Sequence, residues 1–134
     1  MRIALIALAA AVCAEPALGE SAADKQAAIT AAFETSLREN TVFLHCTVTD
    51  AKIHKVVVKT WQEMISESVA SMTRANVDAA FIARLKERAA YEKMMRLDAP
   101  YREIVAMCQG DWSQRFQTAR FVPLDRRVAE ILGR

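Results

Sequence analysis

Apolar positions recur at three- and four-residue intervals along most of this chain, the spacing of one face of an α-helix. Ile29, Phe33 and Leu37 repeat every four residues behind Ser21-Ala-Ala-Asp24, a capping-box type of helix start. They predict a first helix from about Ser21 to Asn40. Asp50 is a good N-cap for a second helix, whose apolar face reads Ile53, Val57, Trp61, Met64, Ser68 and Met72. Asn76 or Asp78 starts a third through Phe81, Ile82, Leu85 and Ala89. Past Tyr91 the stripe rotates, since Met94, Met95 and Leu97 leave that line; either the helix bends there or a second partner covers the new face. Asp98 is expected to cap a fourth helix that tolerates Pro100 in its first turn and carries Tyr101, Ile104, Val105 and Cys108 on one face. Gly110 would end it. Pro123 then begins a last short helix with Leu124, Val128, Ile131 and Leu132 facing inward.

One stretch breaks the pattern. From Thr41 to Thr49, Val42, Leu44, Cys46 and Val48 alternate with Phe43, His45, Thr47 and Thr49, which is strand spacing. A single strand would leave its ladder groups unpaired. Its one candidate partner, Ile53–Lys59, runs straight into the second helical stripe. Residues 41–49 are therefore expected to be an extended connector or part of a helix, with a hairpin as the lesser alternative. After residue 20 only Gly110, Gly133, Pro100 and Pro123 supply turn residues, too few for a sandwich or barrel. The expectation is all-α: one small domain of four to five short helices over residues 20–134, without repeats.

The opening residues belong to a different regime. Arg2 precedes an unbroken apolar run from Ile3 to Ala14, too short for a bilayer core, which needs about 20 residues. A short basic start, an apolar run and small residues next to Pro16 form the pattern of a secretory leader. Ala17-Leu18-Gly19 fits the small-x-small rule, so residues 1–19 are read as a cleavable signal, with cleavage after Ala14 as second choice. Cys13 invites a lipoprotein reading, but Val12 stands where such a site wants a small residue. Periplasmic or secreted localisation follows, with no stable membrane insertion.

Cleavage would take Cys13 away and leave two of the three cysteines, Cys46 and Cys108. An even pair in an oxidising compartment reads as a disulfide. Arg2 and Glu15 would leave together, so the net charge stays at +2, which argues against a dedicated nucleic-acid binder. The charge is uneven: Glu20, Asp24, Glu34, Glu39 and Asp50 face only Lys25 and Arg38 up to residue 50, and basic side chains prevail beyond it. Halves of opposite sign can pack on each other or on a second copy, so a homodimer is open.

Candidate chemistry is sparse. His45 and His54 are the histidines available for acid–base work. His54, between Lys52 and Lys55, is explained by a solvated polar face. His45 adjoins Cys46, but neighbours on an extended segment point to opposite faces, and a bridged Cys46 could not act as a nucleophile. Glu63 and Glu67 share a helix face among Gln62, Ser66 and Ser68, as an exposed acidic surface would. No phosphate loop, nucleophile elbow, zinc-protease or haem-attachment motif is present. Met64, Met72, Met94, Met95 and Met107 raise copper, since thioethers suit Cu(I), yet they sit at apolar helical positions and show no ligand spacing. No catalytic, cofactor or metal residue is assigned. Two groups remain as a candidate protein-binding surface: Tyr91, Met94, Met95 and Arg96, and Trp112, Phe116 and Arg120 with Phe121. By elimination and compartment, the expected function is a non-catalytic module that binds another protein: an inhibitor, immunity factor, chaperone or envelope accessory. The alternative is a periplasmic binder of a small ligand or of copper.

Overall fold

The computed structural model describes residues 20–96, 101–110 and 122–133. Residues 1–19, the stretch of Leu97, Asp98 and Pro100, and the group of Trp112, Phe116, Arg120 and Phe121 lie outside the described residues, as do the side chains of Tyr101 and Ile104. Six helices and no strand are found among the described residues: α1 (Ala22–Thr47), α2 (Ala51–Arg74), α3 (Ala79–Arg88), α4 (Tyr91–Met94), α5 (Tyr101–Cys108) and α6 (Leu124–Ile131). The all-α class holds, with two of the helices long rather than short.

Each start has a local cause. Ser21 and Asp24 form a reciprocal capping box, and the hydrogen bonds from the Ser21 hydroxyl and amide hold the Asp24 carboxyl below its ordinary value. Asp50 accepts the amides of Lys52 and Ile53 at 3.1 Å to open α2. Asp78 does the same for Phe81 at 2.8 Å and opens α3. Asn76 instead ends α2: its φ of 56° lies in the left-handed region that asparagine tolerates, and Val77 N–H returns to the Met72 carbonyl at 3.0 Å. The rotated stripe after Ala89 is a helix boundary, since α3 stops at Arg88 and α4 restarts from Ala90.

Residues 41–49 are neither strand nor connector for most of their length: α1 continues through them to Thr47. The buried positions of α1 are Ile29, Phe33, Ser36, Asn40, Phe43, Leu44 and Thr47. Leaving Leu44 aside, they alternate spacings of four and three, a heptad seam. In α2 the buried set Val57, Trp61, Met64, Ser68 and Ser71 follows the same rhythm, with Met72 beside it. The seam thus holds small polar residues that an apolar stripe overlooks. Asn40 Nδ2 donates to the Ser36 carbonyl at 2.8 Å, Thr47 Oγ1 to Phe43 at 2.7 Å and Ser68 Oγ to Met64 at 2.6 Å, each one turn back, while Asn40 Oδ1 and Ser36 Oγ are buried without a hydrogen-bond partner among the described residues. Ile53, expected on the core face, is 47% exposed. One step back along the seam from Val57 stands His54, which is half-buried.

α6 lies across both long helices, and its buried Leu124 and Val128 meet the surroundings of Ile29, Phe33, Met72 and Leu85. α3 packs on α2 through Phe81, Ile82 and Leu85. α5 packs on α1, where the Cys46–Cys108 disulfide joins them with Cα atoms 5.2 Å apart.

An exposed ion pair links α3 to α1. Arg88 donates to the Glu34 carboxylate and stacks over the Phe33 ring at 5.5 Å. Chiefly the Arg88 hydrogen bond, opposed by partial burial, holds the Glu34 carboxyl below its ordinary value of 4.5. A lowered folded-state pKa contributes stability above the unfolded value, and that contribution is lost as pH falls through the folded value. With side chains 34% and 47% exposed, solvent screens the pair to under about 1 kcal/mol. Glu34→Gln is therefore expected to unfold at slightly lower urea than wild type at neutral pH. The two midpoints should converge as pH falls well below the ordinary glutamate value; a gap that persists there would assign the effect to packing.

Candidate functional site

α2 carries a second stripe beside its seam. Val58, Ile65 and Val69 are half-buried and pack against the core from one side. Facing them is the junction of α3 and α4, and between the two runs a groove of about 440 Å³. Val58, Trp61, Ile65 and Val69 form one wall, while Ala89, Ala90 and Tyr91 form the other. Gln62, Ser66, Lys86 and Glu92 bring polar groups to its lining. Trp61 itself is 2% exposed. Its indole Nε1 donates to the Ala89 carbonyl at 2.9 Å, which fixes the distance between the walls at the junction.

Two histidines hold α4 in place from below. His45 Nε2 lies 3.1 Å from the Met94 carbonyl; because a carbonyl only accepts, that nitrogen carries the proton. His54 sits between Thr47 and Tyr91, with Nδ1 3.0 Å from Thr47 Oγ1 and Nε2 3.0 Å from the Tyr91 hydroxyl. Thr47 spends its single proton on the Phe43 carbonyl, so its oxygen accepts from Nδ1–H. A neutral His54 ring then leaves Nε2 to accept the Tyr91 O–H. The rings of His54 and Tyr91 also meet edge to face, centroids 5.8 Å apart. An exposed Lys93–Glu87 pair ties α4 to the end of α3. Its hydrogen bond from Lys93 is the main reason that the Glu87 carboxyl lies below its ordinary value.

The residues singled out in the sequence fall into three groups. Tyr91 lines the groove, Met95 is half-buried and Arg96 is exposed. Met94 must be corrected: at 3% exposure it is a core side chain rather than part of a surface open to a partner. Trp112, Phe116 and Arg120 lie outside the described residues. His54 is likewise no solvated residue. Its bonds to Thr47 and Tyr91 occupy both ring nitrogens, and the Tyr91 contact reaches 37 positions along the chain, beyond any local pattern. Cys46 is bonded to Cys108, so its sulfur is not a thiol. Glu63 and Glu67 are exposed, with Glu63 3.5 Å from Lys59 in an i,i+4 pair.

Among the described residues no three His, Cys, Asp or Glu side chains gather as a metal site would require, and no helix is long and apolar enough to cross a membrane. The groove brings apolar walls and polar groups together; a second concavity, of about 540 Å³, lies between the start of α1 and the end of α2. Comparison with family models, curated proteins and solved structures returns no match to this chain.

Proposed function

We propose that this chain is exported and works, in the periplasm or outside the cell, as a non-catalytic module that holds a segment of another protein. Export rests on Arg2, the Ile3–Ala14 run and Ala17-Leu18-Gly19, and a formed disulfide suits an oxidising compartment. The non-catalytic reading rests on engagement of the candidate groups. Cys46 is bridged, His45 holds a backbone carbonyl, and His54 is spanned by Thr47 and Tyr91. Inhibitor, immunity factor, chaperone and envelope accessory are all roles of this kind.

The observation that carries the reading is the groove. Val58, Ile65 and Val69 recur at helical spacing along roughly three turns of α2, so they offer a strip about 16 Å long. A partner's short amphipathic helix presents apolar anchors at the same spacing. Ile65→Glu places a carboxylate in the middle of that strip, at a half-buried side chain that also packs on the core, so circular dichroism and urea unfolding must first show that the variant is folded. The experiment is recovery of bound proteins from the native envelope on wild type and on Ile65→Glu in parallel. A partner recovered by wild type and lost with Ile65→Glu is the expected outcome; identical recoveries would remove the groove from the function. Processing is checked on the same material, whose N-terminus should be Glu20, with Glu15 as second choice. Full-length protein starting at Met1 and confined to the cytosol would contradict export.

The groove volume also falls in the range of small-ligand sites, roughly 300–1,000 Å³. A small apolar ligand is therefore the second reading. Native mass spectrometry of the protein as isolated separates the two, since a bound small molecule adds a discrete mass.

A further inference from the structure

Three large aliphatic side chains stand in water at the turn end of the α1–α2 hairpin. Val48 is 55% exposed, Ile53 47% and Val56 55%. Lys52, Lys55 and Lys59 are exposed among them. On α2, Lys52 and Lys59 are seven residues apart and project on one side, with Val56 between them and Ile53 one turn away. From Ala51 to Gln62 there is no carboxylate. The nearest are Asp50, engaged with the Lys52 and Ile53 amides at 3.1 Å, and Glu63, in its exposed pair with Lys59.

We propose that this end of the hairpin docks on the surface of an anionic phospholipid bilayer. Val48, Ile53 and Val56 enter the boundary between headgroups and acyl chains, and the three lysines meet lipid phosphates. Composition separates this from a protein interface. Protein contacts are enriched in aromatic residues, methionine and arginine and depleted of lysine, and this patch sets lysines among the aliphatic Val48, Ile53 and Val56. A second copy fits poorly as well, because two-fold pairing about Val56 would bring both lysine sets together. Lysine also suits a lipid surface by its shape, laying its methylenes along apolar neighbours while the ammonium reaches the phosphates. Nothing here inserts deeply: the seam with α1 lies roughly a quarter turn around α2 from Val56, and its residues are buried within the fold. At about 100° per residue Ile65 lies on the side of α2 opposite Val56, so the groove stays open when the patch is docked.

The test uses the protein in processed form, checked by intact mass to lack the Ile3–Ala14 run, in sedimentation with two vesicle preparations. One contains phosphatidylglycerol with phosphatidylcholine, the other phosphatidylcholine alone. Binding to the first and not the second is expected, and it should weaken as salt rises. Lys52→Gln with Lys55→Gln should reduce it roughly twenty-five-fold, at about fivefold per lysine. Val56→Ser should reduce it with every charge in place. Lys25→Gln with Arg126→Gln removes the same charge elsewhere and should change binding less than about twofold. Circular dichroism confirms that these surface variants stay helical. Equal binding to both vesicles, no binding to either, or an equal loss in the control pair would overturn the proposal. Retention on polyglutamate beads without vesicle binding would do so too, assigning the lysines to an acidic protein.

Discussion

Trp61→Ala should destabilise the domain by about 3–5 kcal/mol, the range for truncating a buried aromatic. Among the described residues Trp61 is the largest fully buried side chain, and it stands on the α2 seam between Val57 and Met64. Alanine there opens a cavity against α1 and also removes the donor to the Ala89 carbonyl. Two contributions are thus combined, and Trp61→Phe separates them: it keeps most of the apolar volume and loses the indole N–H, for about 1–2 kcal/mol. Urea unfolding of the three proteins measures both steps. An alanine variant within about 0.5 kcal/mol of wild type would mean that Trp61 is not part of the core.

The second large effect concerns the bridge. Cys46 and Cys108 are 62 positions apart, and for a loop of that length the chain-entropy model gives about 4 kcal/mol as an upper figure. Cys46→Ala with Cys108→Ala is expected to cost about 2–4 kcal/mol. The helical signal should survive, because the seam residues of α1 and α2 and the α6 contacts do not include either cysteine. The loss should fall first on α5, so hydrogen exchange over residues 101–108 should quicken more than over α2. Thiol titration of unfolded, unreduced protein from its native compartment is the direct check. Two free thiols per chain would rule out the bridge there.

The helix starts and the class of the fold were legible because their causes are local: Ser21 with Asp24, Asp50 and Asp78 all act within one turn. The seam was only partly legible. Following apolar residues led to Leu37, which packs half-buried beside the core, and to Ile53, which is exposed, whereas the heptad rhythm places Ser36 and His54 at those levels. Polar residues satisfied by the preceding turn, or by a partner from another helix, can occupy a buried seam without leaving an apolar mark in the sequence. The apparent end of α1 at Asn40 has the same origin, since Asn40 is a seam residue that bonds back to Ser36. Of the candidate site, Tyr91 was visible as an aromatic beside methionines and arginine. The opposite wall was not, because Val58, Ile65 and Val69 form a second stripe that only the arrival of α3 and α4 makes into a groove. Met94 misled because helical methionine looks alike on a surface and in a core until its neighbours are known.

The polar members of the seam act on alignment. Two long helices with uniformly aliphatic facing edges can slip by one heptad, about 10 Å, and still bury equivalent surfaces. Here such a slip would part His54 from Thr47. The misaligned hairpin would retain much of its hydrophobic burial but hold unmet donors and acceptors in a dry place, a penalty that selects one vertical setting. Thr47 and His54 therefore work as a dowel between the helices, and the Tyr91 hydroxyl on His54 Nε2 ties one wall of the groove to it.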